Sequence, residues 1–383
     1  MRVLIVGAGI GGLSAAIALQ RRGMETVLFE RTTELKEIGA GIALAANAMK
    51  ALDSLGLADA VQYIGAEPQF YEVRSWRGEV LSRVPVAEHR EKMGAASVAT
   101  HRADLQMALL KGLAETRGEV HLGTECVRVD QTEEYVQASF AGGREERGDL
   151  LIGADGLNST VRERLLGDGP PRYAGYTAWR AVVTPERELV PQWGVESWGR
   201  GTRFLFAPIG RRRVYWAAAE NAPQGAVHGP AGGAKDALLG AFRGWHEPIE
   251  KLIRATDERA ILHTAIYDRD PLGERWGEGR ISLLGDAAHP MTPDLGQGAC
   301  QAIEDAAVLA KCLSEESDPA LALRHYEAHR TRRVATIVLR SRRLGRVAQL
   351  ENPLLCRLRD VLLKRTPDRM LLRQAEEIVA CEV

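Results

Sequence analysis

Short apolar runs that stop at a glycine or an acidic residue recur along this sequence, and helical spacing follows several of them. Residues 3–6 read as a buried strand, 13–22 as a helix and 25–29 as a second strand, the alternation from which a parallel sheet is built. A glycine-rich turn at 39–42 precedes helical spacing at 47–55; by pattern alone it lines a bound group or caps that helix. The period then changes. Residues 70–86 predict two antiparallel strands around Arg77 and Gly78, which open a second sheet. Helical spacing returns at 101–111, three short alternating runs occupy 119–140, and 150–153 is again an apolar strand, leading to a helix through Val161 and Leu165.

Residues 172–183, 192–198, 202–208 and 213–219 are rich in Tyr, Trp and Val and supply the larger part of the second sheet. A Gly/Pro/Ala-rich loop at 223–233 leads to a helical stretch, 235–254, broken at Pro248. The strand 281–284 ends at Gly285 and Asp286. Pro290, Pro293, Gly296 and Gly298 then keep a loop from being helical, after which Ala299, Ile303, Ala306, Ala310 and Leu313 recur at helical spacing. Residues 319–350 predict a long amphipathic helix whose arginines form a solvated face, and 351–383 one more helix. There is no internal repeat and no low-complexity segment.

With 383 residues, 45% hydrophobic and 26% charged, the chain has the composition of a globular protein of two domains. A formal net charge of -1 gives no footprint for nucleic acid, and the arginine clusters at 211–213 and 340–346 are too local to change that. The five cysteines are odd in number and lack a CxxC pair, which argues against a disulfide framework or a zinc site and fits a reducing cytoplasm. The opening residues mimic a signal peptide, but their glycine spacing argues otherwise, and no apolar run is long enough for an integral membrane segment.

The chemistry gathers at strand ends, beyond which ligands of parallel sheets sit. Gly7, Gly9 and Gly12 match G-x-G-x-x-G between a strand and a helix: a tight turn, a bare backbone that admits a pyrophosphate, and close helix packing. Glu30 closes the second strand, where a carboxylate takes the hydroxyls of an adenosine ribose; adjacent Arg31 weakens the inference that this ribose is unphosphorylated. Arg102, at a helix start, reaches a phosphate or is solvated. Asp155 binds a ribityl or ribose hydroxyl or caps the helix after it. The loop ahead of Gly298 can hold an electron-rich group against the positive end of a helix.

The segments GAGIGGLSAAIAL with Glu30, DLLIGADGLNSTVR and GDAAHPMTPDLGQGACQAIEDA resemble, in that order, the three fingerprints of the single-component FAD-dependent aromatic hydroxylases, the p-hydroxybenzoate hydroxylase fold. RYAGYTAW and PDLGQGACQAIEDA are similar to the subgroup containing urate hydroxylase, salicylate-type hydroxylases and zeaxanthin epoxidase. The resemblance implies an α/β fold: a Rossmann-like FAD-binding domain (1–69, 96–171 and 271–350), an interleaved, mainly antiparallel β-sheet substrate domain (70–95 and 172–270), and C-terminal helices from 351. It places Gly7, Gly9 and Gly12 on the FAD pyrophosphate, Glu30 at the adenosine ribose, and Arg102 on a further part of FAD; Arg31 is a candidate by its place next to Glu30. Asp286 falls near the ribityl and pyrophosphate. Asp155 joins a segment shared by FAD and NAD(P)H, and Pro293, Gly296, Gln297 and Gly298 lie against the isoalloxazine; Gly41, in the turn that lines a bound group or caps a helix, is a further cofactor candidate.

The reaction so implied is reduction of FAD by NADH or NADPH, then transfer of one atom of molecular oxygen from a C4a-hydroperoxide to a small aromatic substrate, by a monomer or homodimer in the cytoplasm. No metal takes part; His263 and His289 are structural or surface residues. Arg203 and Tyr215, on two runs read as neighbouring strands, are candidates to hold the substrate ring, although both residue types are commonplace in strands. Ala178 stands where the urate hydroxylases have a substrate-binding asparagine, which counts against urate itself. Other oxidoreductases on this fold, a polyprenyl reductase, an epoxidase or a halogenase, are the competing readings, and a non-catalytic flavin-binding redox sensor is one from another class.

Overall fold

A computed structural model describes residues 1–35, 40–116, 118–186, 189–226 and 233–381. Five parallel strands form the first sheet, in the order Ile281–Leu283, Leu150–Gly153, Arg2–Val6, Glu25–Phe29, Glu119–His121. Its central strands are apolar throughout because the faces are covered: Val3, Leu4, Ile5, Leu150, Leu151 and Ile152 are wholly buried. The helices Ile10–Gln20 and Gly298–Glu315 pack beside each other against it.

Seven strands form the second sheet, in the order Leu262–Asp268, Arg172–Val183, Val214–Asn221, Thr202–Pro208, Gly194–Trp198, Tyr71–Ser75, Val80–Val84. All pairs are antiparallel except Gly194–Trp198 with Tyr71–Ser75. Alternation gives it two unlike faces. Trp179, Phe204, Phe206 and Trp216 point to one side and make a separate core with Leu238, Phe242 and Leu252. The other side turns toward the loop between Leu283 and Gly298, which the long helix Pro319–Ala348 backs.

Several sequence expectations are corrected. The turn expected at 39–42 includes a strand, Gly41–Leu44, paired with Val98–His101, while Gly39 lies outside the described residues. Part of the loop expected at 223–233 also lies outside them. The stretch 235–254 keeps its expected break: it is two helices, Ala234–Ala241 and Ile249–Ala255, the second starting after Pro248. The final stretch is also two, Pro353–Arg365 and Asp368–Val379, because Pro367 ends the first. The loop expected to be non-helical contains short 3-10 turns, Gly285–Ala287 and Pro293–Leu295, the second started by a proline whose fixed φ suits that position.

Candidate active site

Because the strands of the first sheet are parallel, their C-terminal ends share one edge, and Asp286, Asp155, Gly7 and Glu30 follow four adjacent strands along it. The turn after the first strand requires glycine: Gly7 has φ +107°, and a Cβ at Gly12 would overlap the Gly7 carbonyl, whereas a Cβ at Gly9 would meet nothing within 4 Å. Glu30 accepts hydrogen bonds from Ala8 N–H and Thr32 N–H, each at 3.0 Å, and so fixes the turn while keeping lone pairs free. Gly7, Glu30, Arg31, Asp155 and Asn158 line one cleft. Asp155 accepts from the Ser159 hydroxyl at 2.5 Å and from Thr160 N–H at 2.8 Å and Val161 N–H at 3.2 Å, the geometry of a helix cap.

Asp286 differs. It is exposed to solvent and makes no hydrogen bond among the described residues; one carboxylate oxygen lies 3.8 Å from where Gly298, the first residue of its helix, would carry a Cβ. The surrounding protein raises its pKa from the ordinary value by desolvation, partly offset by the charges of His289 and Arg102. Arg102 therefore lies within electrostatic reach. Its side chain is exposed, with no carboxylate partner among the described residues.

Behind the loop lies a buried polar network. His289 Nε2 and Gly285 N–H both meet Asp305 Oδ2, at 2.6 and 3.0 Å, and Arg330 Nε donates to Asp305 Oδ1 at 2.7 Å. Arg330 also donates to Glu304 and, at 2.7 Å, to Gln301 Oε1; Arg333 Nε reaches Glu304 at 2.7 Å. Asn47 Nδ2 links Glu304 Oε2, at 3.0 Å, to Gln297 Oε1, at 3.1 Å, so the network holds both ends of the loop. Arg162 adds bonds to the Ala287 and Ala288 carbonyls at 3.1 and 2.9 Å. These partners were missed in the sequence. Arg330, assigned there to a solvated face, is 2% exposed. His289 is buried in this network, and His263 stacks on Trp179 with ring centroids 3.5 Å apart.

In front of the loop, strand register sets the face. Arg203 pairs with Ala219 and Tyr215 with Ala207, so Arg203, Tyr215 and Tyr176 project to the same side. Arg203 is buried and donates to Glu196 Oε1 at 3.2 Å and to Asp294 on the loop, while Tyr176 Oη donates to Asp294 Oδ2 at 3.0 Å and Tyr71 Oη to Glu196 Oε2 at 2.5 Å. Burial would lower the Arg203 pKa, but Asp294 and Glu196 outweigh it and raise it. Tyr176 and Asp294 also help to wall a second cavity of about 610 Å³ beside the long helix.

Tyr215 stands apart from that cluster. Gly41 must be glycine because a Cβ would overlap the Tyr215 ring, and burial raises the Tyr215 phenol pKa. Around it Leu205, Ala207, Ala217 and Val182 are only half-buried in the middle of a seven-stranded sheet, which marks an open space over this face. Arg180, absent from the sequence candidates, shares the face, lies in the field of Tyr215, and donates to Thr264 Oγ1 at 2.7 Å, with no carboxylate partner among the described residues.

A family model described as FAD binding domain matches residues 1–182 and 253–341. The chain is 43% identical over 364 residues, 95% of this chain and 94% of the relative, to the aurachin C monooxygenase/isomerase of Stigmatella aurantiaca. It is 37% identical over 377 residues, 96% of this chain and 93% of the relative, to the 3-amino-4-hydroxybenzoate 2-monooxygenase of Streptomyces cremeus. Among solved structures, Klebsiella pneumoniae HpxO complexed with FAD and uric acid superposes with a TM-score of 0.92 at 32% identity, covering 99% of this chain and 96% of that one. The bare backbone at Gly9, the carboxylates at the strand ends, and Arg102 and Asp286, which have no side-chain partner among the described residues, suit the phosphates and hydroxyls of such a cofactor. The chain belongs to the FAD-binding-domain family and is an FAD-dependent monooxygenase with the aromatic-hydroxylase fold.

Proposed function

We propose that this enzyme consumes NADH or NADPH and molecular oxygen to hydroxylate a small aromatic or heteroaromatic substrate. FAD bound by these residues would supply the redox chemistry, hydride acceptance and oxygen activation. The protein binds, orients and excludes water. In this reading Gly7, Gly9 and Gly12 admit the pyrophosphate, Glu30 with Arg31 and Asp155 serve the adenosine side, and Arg102 and Asp286 take the middle of the cofactor. Gly41, Pro293, Gly296, Gln297 and Gly298 frame the ring system, where the helix start favours electron density. The cofactor part comprises 1–69, 96–171 and 271–350, and the substrate part 70–95 and 172–270.

The observation that carries the substrate side is the half-buried face around Tyr215, an apolar surface with a phenol and a cation, Arg180, that no carboxylate among the described residues neutralises. An aromatic ring fits such a surface, with Tyr215 and Arg180 able to hydrogen-bond its oxygen or nitrogen substituents. Arg203, neutralised by two carboxylates, acts as a positioning residue that ties the sheet to the loop through Asp294. A related 3-amino-4-hydroxybenzoate 2-monooxygenase and the similar HpxO complexed with uric acid support this ring class. NAD(P)H oxidation under air, measured with and without a panel of phenolic and heteroaromatic compounds, tests the reading. Stimulation with a product heavier by one oxygen supports it; consumption that no panel compound changes, with no oxygenated product, sinks it.

A further inference from the structure

The helix Pro353–Arg365 turns its apolar side outward. Leu354 is 73% exposed, Leu358 55% and Leu362 57%, with Leu355 and Val361 exposed beside them. At about 100° per residue these five fall within an arc of roughly 120°. The inward side instead carries Cys356 and Arg359, both buried. The helix cannot simply roll over, because Arg359 is anchored: it donates to the Ala348 carbonyl at 3.2 Å and the Gly199 carbonyl at 3.3 Å and lies 5.2 Å from the Trp198 ring centroid.

Charge identifies what covers this face. Residues 353–373 contain six Arg and Lys against two Asp; of these Arg359 is buried beside Asp360 and Lys364 pairs with Glu79. Arg357, Arg365, Arg369 and Arg373 are exposed and have no carboxylate partner among the described residues. The half-exposed Trp76 and stacked Arg77 sit in the neighbouring hairpin, which the Lys364–Glu79 ion pair ties to the helix end. A two-fold contact with a second copy would set this positive surface against itself. Leucines flanked by arginines, with an amphipathic aromatic at the border, suit the boundary of an anionic bilayer. No helix among the described residues is long and apolar enough to cross a membrane, so the contact would be with the surface.

We infer that the helix Pro353–Arg365 docks this enzyme onto anionic lipid surfaces. The test is flotation of the FAD-loaded full chain with vesicles of phosphatidylcholine alone or with about a quarter phosphatidylglycerol, at low and high salt. The wild type should float with the anionic vesicles, at least about tenfold more than with neutral ones, and release in salt. Arg365→Gln with Arg369→Gln should weaken that partition roughly thirtyfold, and Leu358→Ser with Leu362→Ser should abolish it while bound flavin is unchanged. Absence of flotation by the wild type, or flotation retained by the serine variant, overturns the inference. A dimer in sedimentation that the serine variant dissolves, without vesicle binding by the wild type, overturns it in favour of a second copy.

Discussion

Asp286, just past a strand, and Asp305, on the helix that follows the same loop, differ sharply in their surroundings. Asp305 is wholly buried, with its oxygens engaged by His289, Gly285 N–H and Arg330; burial alone would raise its pKa, but these partners outweigh it and lower it. Asp286 has no hydrogen-bond partner among the described residues, and its pKa is raised by desolvation. A saturated carboxylate holds a structure together, while an unsatisfied one at a strand end is free to meet a ligand. The same contrast separates Arg203, closed by two carboxylates, from Arg180, which has none among the described residues.

Arg330→Met attacks the saturated side and should have the largest effect. It leaves Glu304 and Asp305 buried with too few cations, a loss of about 3 to 5 kcal/mol, read by denaturant unfolding of the flavin-loaded protein. A loss below about 1 kcal/mol would mean the network is dispensable. Asp286→Ala attacks the open side. It should weaken FAD binding on the order of 10- to 150-fold, the value of one charge-assisted hydrogen bond, without comparable loss of stability in the flavin-free protein. Unchanged affinity in a fluorescence titration would remove Asp286 from the cofactor site.

On the substrate face, Tyr215→Phe and Arg180→Met should each keep FAD bound and cut substrate-stimulated hydroxylation at least about tenfold, equivalent to roughly 1.4 kcal/mol of transition-state stabilisation. Arg203→Met should lower the rate too, but together with stability, since it strands Glu196 and Asp294. Wild-type turnover by the Arg180 and Tyr215 variants would leave that face without a chemical role.

The smallest effect is on pH dependence, where the two aspartates have opposite signs. The folded pKa of Asp305 is depressed, so its stabilisation is full above the unfolded carboxylate value of about 4 and disappears as pH falls through the folded value. Asp286 has a raised folded pKa: the flavin-free protein is favoured with this group protonated, and that advantage is lost as pH rises through the folded value. Asp286→Asn should therefore raise the melting temperature of flavin-free protein at neutral pH and leave it unchanged in acid. Equal melting temperatures at both pH values would contradict the assigned shift.

The elements of the first sheet were legible because each glycine turn and strand-end acid is a local pattern: Gly7 to Gly12, Glu30 and Asp286 announce themselves within a few residues. The network behind the loop was not. Asn47 meets Glu304 across 257 positions, and Arg330 shares its helix with arginines that do face solvent, Arg332, Arg343 and Arg346, so residue type alone does not distinguish it. Arg180 was hidden inside an alternating strand whose facing side depends on pairing with Val214–Asn221. The short strands Gly41–Leu44 and Leu262–Asp268 likewise owe their existence to partners distant in sequence.

The central claim is that this fold transfers one atom of dioxygen to an aromatic ring, and isotope labelling tests it most directly. Turnover with NADH or NADPH under isotopically heavy dioxygen, using whichever panel compound stimulates cofactor oxidation, should give a product carrying one heavy oxygen atom by mass spectrometry. A product whose new oxygen comes from solvent water, or cofactor oxidation that yields only peroxide with every compound, would contradict the account.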